Sequence, residues 1–382
     1  MSHIIILNYA FDPADETPEA VLRHYFSLSA WAASVAQAGA RVTVFQRYSR
    51  PATLTQQNVT YHFVADGWGS RLRGWQIPQA MHRQLLSMLT TEPTVIHVNG
   101  LLFPTQIRHL QSRLPRSCGF VVQHHAEVPW PASQRWLQRW LLSHVDGFLF
   151  TNRELADPWL KSGVIRSSAL VHAVMETSSP LEFETRAAAR AKTGLHGRPV
   201  VLWTANLKPN KDPLTILTGF ERIVAHAPDA RLYMAYRYDD MLAQVQTRLQ
   251  HSEILAQTVT LLGTIPHAQI ADYYNSADIF VQGSAREGSG IALLDALACG
   301  VVPVVTDIPS FRTITNNGEV GRLWSVGDSD GFTAALQQTI ERLAKKTHTD
   351  TMRRFFEKHW HFSVLGRRAM AIYEAILEKK RD

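Results

Sequence analysis

The chain repeats one pattern twice, a short apolar run followed by a helical segment. In the first half the runs are HIIILNY, RVTVFQR, TVIHVNG, GFVVQHH and GFLFTN. In the second half they are PVVLWTA, ARLYMAY, TVTLLG, DIFVQG and VVPVVT. Short runs rich in Val, Ile and Phe, each trailed by a helical segment, are typical of parallel strands in βαβ units. The sequence therefore predicts an α/β fold with two doubly wound, Rossmann-like parallel-sheet domains facing a cleft.

Length and a polar connection predict where the two domains divide. A chain of 382 residues exceeds one ordinary hydrophobic core and suits two domains. The polar, strand-free stretch METSSPLEFETRAAARAKTGLHGRP separates the two strand series and is typical of a linker. We expect an N-terminal domain over 1–176, a linker over 177–198, a C-terminal domain over 199–362 and a long amphipathic helix over 363–382.

Composition indicates a soluble cytoplasmic protein. The chain is 45% hydrophobic and 19% charged, and its apolar runs end well short of the ~20 residues of a membrane-spanning helix. The N-terminal MSHIIILNYAFD lacks the basic start of a signal peptide. Cys118 and Cys299 lie in different halves of the chain, so they give neither a disulfide framework nor a zinc pattern, as expected in a reducing cytoplasm.

The first half is basic and rich in tryptophan. Residues 1–180 hold 15 Lys and Arg against 11 Asp and Glu, and seven of the ten Trp. Such a half suits anionic ligands, a membrane surface or nucleic acid, or else a solvated surface around an aromatic core. No basic run is interleaved with aromatic residues as in a nucleic-acid platform, so we expect no nucleic-acid partner. For the helical segment with Trp130, Trp136, Trp140, Arg135 and Arg139, packing is the default, and peripheral contact with the inner face of a membrane is the alternative.

Several chemistries lack their sequence motifs. In neither half of the chain is the first predicted strand followed by Gly-x-Gly-x-x-Gly. The chain also has no Walker loop and no Gly-x-Ser-x-Gly elbow. The acidic pair at Asp328 and Asp330 precedes a helical segment, where a helix cap is the simpler role. HHAE, residues 124–127, has no second ligand pair at metal-binding spacing. We therefore expect no metal and no bound cofactor.

Polar loops follow two strands of the second series. After PVVLWTA, the loop NLKPNKDP sets Lys208 and Lys211 beside a helix that begins at Pro213 and can be capped by Asp212. Ammonium groups near free helix N–H donors suit a diphosphate. Two lysines in a polar loop are equally explained as solvated surface.

The second loop contains two carboxylates and two glycines. Glu287 precedes Gly288 and Gly290, which let a backbone approach a ligand closely, and Ser289 could cap the next helix. Asp295 interrupts the otherwise apolar IALLDALACG. Burying a lone carboxylate is costly unless it is paired or bound to ligand hydroxyls. Both acids can accept hydrogen bonds from sugar or ribose hydroxyls.

These motifs resemble those of a known enzyme family. Residues 200–330 resemble the donor-binding domain of the retaining glycosyltransferases of family 4, which have the GT-B fold. EGSGIALLDALACG is similar to the family's E-G-x-G-x-x-x-x-E-A-x-A-x-G, and ANLKPNK stands where the family has Gly-Arg-Leu-x-x-x-Lys. LLGTIPHAQIADYYNSADIFVQGS and GVVPVVTDIPSFR match the flanking pattern. The resemblance implies an acceptor-side N-terminal domain, a donor-binding C-terminal domain and a last helix that crosses back to the first.

The resemblance implies a role for each matching residue. Glu287 would hold donor-sugar hydroxyls, Asp295 the ribose hydroxyls, and Lys211 would neutralise the leaving diphosphate. His125, or alternatively His124, would match the family's histidine near the reacting carbon. The other implied donor-binding residues are Asn206, Lys208, Gly263, Thr264, Ile265, Gly288, Ser289, Gly290 and Ile291.

The implied function is retaining, metal-independent, hexosyltransferase-like transfer from a nucleotide-diphosphate sugar to a glycan, a lipid-linked acceptor or a small molecule, as in glycan biosynthesis. Three departures from the family pattern stand out: Asp295 replaces Glu, Asn206 occupies the Arg position, and DETPE replaces a Gly-Gly turn. Two alternatives stay open, a nucleotide-sugar epimerase of GT-B fold and a non-catalytic nucleotide-sugar-binding subunit. The Glu287–Asp295 spacing favours a transferase over an epimerase.

Overall fold

The computed structural model describes residues 1–125, 127–345 and 348–381. The chain divides into two compact units. The first comprises Met1–Thr177 with Phe362–Asp382, and the second comprises Ser178–His361. Asp382, the last residue of the expected C-terminal helix, lies outside the described residues. In the part of the chain that is described, no helix combines the length and apolar composition needed to cross a bilayer.

The first unit is built on an eight-stranded sheet of order β3-β4-β2-β1-β5-β6-β7-β8. All neighbouring strands are parallel except the antiparallel pair β3 and β4. The five runs predicted from the sequence are confirmed as β1, β2, β5, β6 and β7. The strands are β1 His3–Asn8, β2 Arg41–Arg47, β3 Ala52–Gln56, β4 Val59–Val64, β5 Thr94–Asn99, β6 Gly119–Gln123, β7 Gly147–Phe150 and β8 Leu170–Ala173.

The expectation that a helix trails every strand is wrong after β2. A hairpin, β3 and β4, follows there instead. Its turn residues Gln57 and Asn58 have φ of 50° and 60°, the left-handed conformation of the turns that join short hairpins. The alternation of ATLTQ and VTYHFV on either side of QN is the signal that could have predicted this hairpin.

Helices cover both faces of the first sheet. They are α1 Pro18–His24, α2 Phe26–Gln37, α3 Gln79–Ser87, α4 Pro104–Gln111, α5 Arg135–Leu141, α6 Asp157–Lys161 and the C-terminal helix α16 Phe362–Lys379. α16 packs along α2, where the Trp31 indole N–H donates to the Tyr373 hydroxyl at 3.1 Å. That hydroxyl also lies 2.7 Å from Nδ1 of His97 on β5. The last helix is therefore part of the first unit's core.

The default assignment to packing is wrong for Trp136 and Trp140, the two tryptophans on α5. Trp136 is 71% exposed and Trp140 is 54% exposed. Trp130, by contrast, is half-buried, and its backbone N–H donates to Oε1 of Gln138 at 2.9 Å. α5 therefore presents two large aromatic side chains to solvent.

The second unit has a six-stranded parallel sheet of order β11-β10-β9-β12-β13-β14. The strands are β9 Val200–Thr204, β10 Arg231–Ala235, β11 Val259–Gly263, β12 Ile279–Gln282, β13 Val302–Thr306 and β14 Arg322–Trp324. The helices are α7 Arg186–Thr193, α8 Pro213–Val224, α9 Leu242–Gln250, α10 Glu253–Thr258, α11 Ile270–Ser276, α12 Ile291–Ala298, α13 Pro309–Thr315, α14 Ser329–Lys345 and α15 Thr349–His359. The order reverses between β9 and β12, where ligands bind in open parallel sheets.

Part of the stretch expected to be a linker, 177–198, is an ordered helix of the second unit. In α7, Arg186 and Arg190 both contact the carboxylate of Asp278, at 3.0 and 2.7 Å. Arg186 also donates from Nε to the Ala277 carbonyl at 2.9 Å. These charged residues, expected to belong to a linker, are therefore bound to Asp278, which directly precedes β12.

The tight crossing of α16 over α2 gives a testable prediction. A Cβ placed on Gly366 would lie 2.2 Å from the Ser34 carbonyl oxygen. Gly366→Ala should therefore push the helices apart and lower the free energy of unfolding by about 1–3 kcal/mol. Chemical denaturation followed by tryptophan fluorescence measures this change. Gly74→Ala, where an added Cβ meets nothing within 4 Å, is the control; equal effects of the two substitutions would contradict the prediction.

Candidate functional site

The loops that follow β9 and β12 meet at the switch point of the second sheet. The Ala285 N–H donates to the Asn210 carbonyl at 2.9 Å. A Cβ on Gly283 would lie 3.1 and 3.2 Å from the carbonyl oxygens of Asp212 and Lys211, so glycine permits this close approach. Asp212 caps α8 as the sequence predicts, accepting from the Thr215 N–H at 3.3 Å.

This contact brings Lys211 and Glu287 together. The Lys211 ammonium forms an ion pair with Oε1 of Glu287, and the two side chains are only 17% and 14% exposed. The same oxygen accepts hydrogen bonds from Nε2 of Gln282 at 3.0 Å and Oγ of Ser284 at 2.6 Å. Three donors therefore hold the Glu287 side chain in place on one oxygen, and no hydrogen bond to its Oε2 is recorded within the described residues.

A cavity of about 660 Å³ opens beside this pair. Seven residues that the sequence singled out line it, namely Asn206, Lys211, Thr264, Ile265, Glu287, Gly290 and Ile291. Five others are not in its lining, namely Lys208, Gly263, Gly288, Ser289 and Asp295. The volume is in the range of small-molecule sites in proteins.

The cavity also contains residues that sequence reasoning missed. Tyr236 and Arg237 follow β10 and line the wall beside Asn206. Arg237 is a basic residue of the lining, in which Asn206 occupies the position of the arginine expected from the family pattern, and its guanidinium lies 5.5 Å from the centre of the Tyr238 ring. A signal was present, because YRYDD directly follows the strand ARLYMA at the carboxyl edge of the sheet.

Two of the residues outside the lining have other surroundings. Nζ of Lys208 lies 3.9 Å from Oδ2 of Asp240 and 5.1 Å from the centre of the Tyr238 ring. Ser289 does not cap α12, because the N-terminal cap is Gly290 at a φ of 59° with no side-chain hydrogen bond. A Cβ on Gly290 would lie 2.8 Å from Cδ1 of Ile314, so both backbone conformation and space require glycine there.

Asp295 lies on α12 behind the cavity wall. Its Oδ1 is buried without a hydrogen-bond partner in the structure, and the nearby Ser179 side chain favours the charged carboxylate without outweighing burial. Burial raises the pKa of Asp295 from 3.8 to about 7. Burial also raises the pKa of Tyr274, and the charge of Asp295 adds to that effect. Asp295 is therefore a buried carboxyl group within an apolar helix, and its Oδ1 is free to accept a hydrogen bond.

His125 lies in the first unit, just after β6, and both of its ring nitrogens face acceptors. Nδ1 pairs with the Glu176 carboxylate, and Nε2 is 2.6 Å from Oδ1 of Asn99. Burial opposes protonation of this ring, but the charge and hydrogen bond of Glu176, assisted by Glu127, outweigh it and raise the pKa of His125. Acceptors at both ring nitrogens favour the protonated form of His125, in the same direction as the raised pKa.

His124, the alternative to His125, is a core residue. It is 2% exposed, its ring lies 4.7 Å from that of Phe150, and Nε2 is 2.8 Å from the Glu127 carbonyl. Burial is the main cause that lowers the pKa of His124. Of the two neighbours, His125 is therefore the one with the polar, charged surroundings of a functional group.

Asp328 and Glu127, acids of the two motifs considered for metal binding, accept hydrogen bonds from backbone N–H groups. Oδ1 of Asp328 accepts from the backbone N–H groups of Asp330 and Gly331 at 3.1 and 2.9 Å, which caps α14. In HHAE, the Glu127 carboxylate accepts from the Leu101 N–H at 2.8 Å. Over residues 1–125, 127–345 and 348–381, no three His, Cys, Asp or Glu side chains form a group suited to a metal ion.

Comparison with known families bears on the second unit. The sequence profile of the family described as glycosyl transferases group 1 matches residues 185–351, which include both loops of the cavity. The match covers less than half of the 382-residue chain and lies within the second unit. The match agrees with the resemblance that the sequence motifs carry.

Two similar proteins act on different substrates. The phosphatidyl-myo-inositol mannosyltransferase of Mycolicibacterium smegmatis is 30% identical over 183 residues, which cover 47% of this chain and 46% of that protein. The mannosylfructose-phosphate synthase of Agrobacterium fabrum is 32% identical over 133 residues, covering 33% of this chain and 29% of that protein. The chain thus spans about half the length, or less, of these curated relatives.

Solved structures resemble the whole chain in fold. A sucrose-phosphate synthase from Thermosynechococcus elongatus has a TM-score of 0.71 at 17% identity, covering 99% of this chain and 100% of that one. The Anabaena protein HepE, solved with UDP and glucose, has a TM-score of 0.70 at 12% identity, covering 98% and 99%. At these identities the likeness concerns the fold, and it confirms the predicted GT-B class with two Rossmann-like sheets.

Asp295 gives a pH-dependent prediction. With a pKa near 7 in the folded protein, it holds a proton that the unfolded chain releases near pH 4. Its contribution to the free energy of unfolding therefore falls as pH rises from about 4 to about 7. Asp295→Asn should match the wild type near pH 4 and exceed its stability above pH 7 by a few kcal/mol, since each pKa unit is about 1.4 kcal/mol.

The measurement is chemical denaturation of both proteins across this pH range. Asp239→Asn, at an exposed carboxylate, is the matched control against which the divergence is judged. A stability difference that does not change between pH 4 and pH 8 would show that Asp295 ionises as an ordinary carboxylate.

Proposed function

We propose that the protein is a retaining, metal-independent glycosyltransferase that takes a sugar from a nucleotide diphosphate. The observation that carries the proposal is the Lys211–Glu287 pair, held in the wall of a cavity of about 660 Å³ at the switch point of the second sheet. The match of residues 185–351 to the family described as glycosyl transferases group 1 supports transferase chemistry. The names of the similar proteins, which include mannosyltransferases and a synthase of a sugar phosphate, support a sugar as the transferred group.

Lys211 and Arg237 are proposed to take the diphosphate. Breaking a glycosyl–phosphate bond develops negative charge on the departing diphosphate, and fixed cations stabilise that charge without reorganisation. Both side chains line the cavity, and the N-terminus of α12 at Gly290 and Ile291 adds backbone N–H donors on the same wall. These groups would supply the charge stabilisation that other enzymes obtain from a metal ion.

Glu287 is proposed to hold the sugar. Its Oε1 is occupied by Lys211, Gln282 and Ser284, which fixes the carboxylate and leaves Oε2 to accept from sugar hydroxyls. The hydroxyls of the nucleotide ribose would reach the unused Oδ1 of Asp295 by a shift of α12 or through a water, because Asp is one methylene shorter than Glu.

The reacting bond is proposed to be attacked from the face that the diphosphate leaves. The Glu287 carboxylate is neutralised by Lys211, so it is poorly suited to act as a covalent nucleophile. The departing phosphate oxygen would take the proton of the acceptor hydroxyl, and the new bond would form on the same face with retention.

Nucleotide binding is the first expected outcome. UDP, GDP and ADP, screened by thermal shift without added metal, should include one that raises the melting temperature, because ligand binding stabilises the native state. Lys211→Met should weaken that binding roughly tenfold or more, since a charge-assisted contact contributes about 1.5–3 kcal/mol. Lys208→Met, just outside the cavity lining, is the control. Equal losses in both variants would contradict the assigned diphosphate position.

Glu287→Gln separates binding from turnover. The amide keeps the size of the side chain but loses the negative charge that accepts hydrogen bonds from the sugar hydroxyls. The rate of donor cleavage should therefore fall about 10²-fold or more, while nucleotide binding persists. Hydrolysis of the preferred nucleotide sugar is the assay, and NMR of the first sugar released reports the anomeric configuration. Glu253→Gln, at an exposed residue of α10, is the control.

The outcomes distinguish the alternatives. A released sugar of inverted configuration would refute retention. A C2-epimerised nucleotide sugar formed without acceptor would identify an epimerase. Tight nucleotide-sugar binding with neither hydrolysis nor transfer would identify a non-catalytic binding subunit.

A further inference from the structure

A second polar cavity lies in the first unit, at the amino-terminal edge of its sheet. Its volume is about 330 Å³. It is bounded by the start of β7, by the connection from α6 to β8 and by the last turn of α16. His125 and Glu176 follow the carboxyl ends of β6 and β8 instead. A strand of four residues is about 13 Å long, so this cavity is separate from the surroundings of His125.

The walls of this cavity are strongly basic. Arg166, Lys379 and Lys380 line it, with Asp146 as the one carboxylate among the lining residues. Asp146 is already engaged, because its Oδ1 lies 2.8 Å from Nζ of Lys380 and its Oδ2 accepts from the Phe120 N–H at 2.8 Å. Among the described residues no ion pair is recorded for Arg166 or Lys379. Two cations at the cavity are thus uncompensated.

This positive charge contributes to the lowered pKa of a neighbouring histidine, His144. Burial lowers the pKa of His144, and the charges of Arg108 and Arg166, followed by that of Lys380, lower it further against an opposing effect of Asp146. The cations come from α4, from the α6–β8 connection and from the end of α16, so tertiary packing assembles them. They do not form a run of basic residues in the sequence.

Hydroxyl donors and aromatic surface adjoin the cations. Ser143 and Ser168 are among the lining residues, and the Ser143 hydroxyl already donates to the Trp140 carbonyl at 2.8 Å. The Arg108 guanidinium lies 5.0 Å from the centre of the Trp140 ring, which connects the basic cluster to the exposed face of α5. Exposed tryptophans beside cations are typical of surfaces that contact lipid headgroups.

We propose that this cavity binds a phosphomonoester group, held by Arg166, Lys379 and Lys380. A phosphomonoester is nearly a dianion at neutral pH and has three strong acceptor oxygens. It therefore matches Arg166 and Lys379, which have no recorded ion pair among the described residues, and Lys380 as a third cation better than a single carboxylate would. The group could belong to a soluble metabolite or to an anionic lipid. The site does not depend on the nucleotide cavity of the second unit.

The test uses the full chain at an ionic strength of about 0.15 M, where charges more than about 8 Å apart are screened. Glycerol 3-phosphate is titrated by calorimetry, with glycerol as the neutral comparison. Sedimentation then measures binding to phosphatidylcholine vesicles that contain phosphatidic acid, with plain phosphatidylcholine vesicles as the comparison. The two arms distinguish a soluble from a lipid source of the phosphate.

The matched variants remove two charges each. The double variant Arg166→Gln with Lys379→Gln should weaken phosphate binding roughly tenfold or more, in each of the two assays in which the wild type binds. Arg23→Gln with Arg50→Gln removes two exposed cations elsewhere in the first unit and should leave that binding intact. All four substitutions are at exposed residues, so thermal unfolding should be unchanged.

Each result decides the proposal. Specific binding in the calorimetric arm alone supports a soluble phosphomonoester, and binding in the vesicle arm alone supports a lipid phosphate. Binding in neither arm, or an equal loss in both double variants, would overturn the assigned site. Binding of the nucleotide selected by the thermal-shift screen, measured on the same variants, should be unchanged, so failure here is distinguishable from failure of the proposed transferase function on which the screen rests.

Discussion

The ion pair between Lys211 and Glu287 is the interaction on which the candidate site depends. It exists because β9 and β12 are neighbours where the strand order reverses, which brings two loops together that lie 76 residues apart in the chain. Gly283 permits the loops to approach to within van der Waals contact. Gln282 and Ser284 then complete the shell of one carboxylate oxygen. A site held this firmly before ligand binding needs little reorganisation when charge develops on a departing group.

In each unit, tertiary packing surrounds one ionisable side chain with groups that raise its pKa. In the second unit, α12 is apolar enough to be buried, and this burial raises the pKa of Asp295 to about 7. In the first unit, both ring nitrogens of His125 face acceptors, the Glu176 carboxylate and Oδ1 of Asn99. Both pKa values are raised, but for different reasons: burial favours the neutral form of Asp295, whereas at His125 the Glu176 carboxylate outweighs burial and favours the charged form.

Sequence reasoning was most successful where the local pattern and the tertiary role coincide. Ten apolar runs became strands of two parallel sheets because a strand buried on both faces must be apolar throughout. Asp212 caps α8 because its side chain and Pro213 act within one turn. The hairpin β3–β4 and helix α7 were missed, since short alternating or highly charged segments gain their stability from neighbours. The Asp278 carboxylate, which anchors α7, is about 90 residues away.

The sequence by itself determined the α/β class, the two sheets and the candidate acids and lysines, because hydrophobic periodicity and loop motifs are local properties of the chain. Only the tertiary structure decided which of those residues share a cavity. It set Lys211 beside Glu287, left Lys208 and Asp295 out of the lining, added Arg237, and buried His124 while surrounding His125 with acceptors. It also gathered Arg166, Lys379 and Lys380 at one edge of the first sheet. The physical reason is that strand order and helix packing, rather than distance along the chain, determine which side chains lie close enough to form ion pairs and hydrogen bonds.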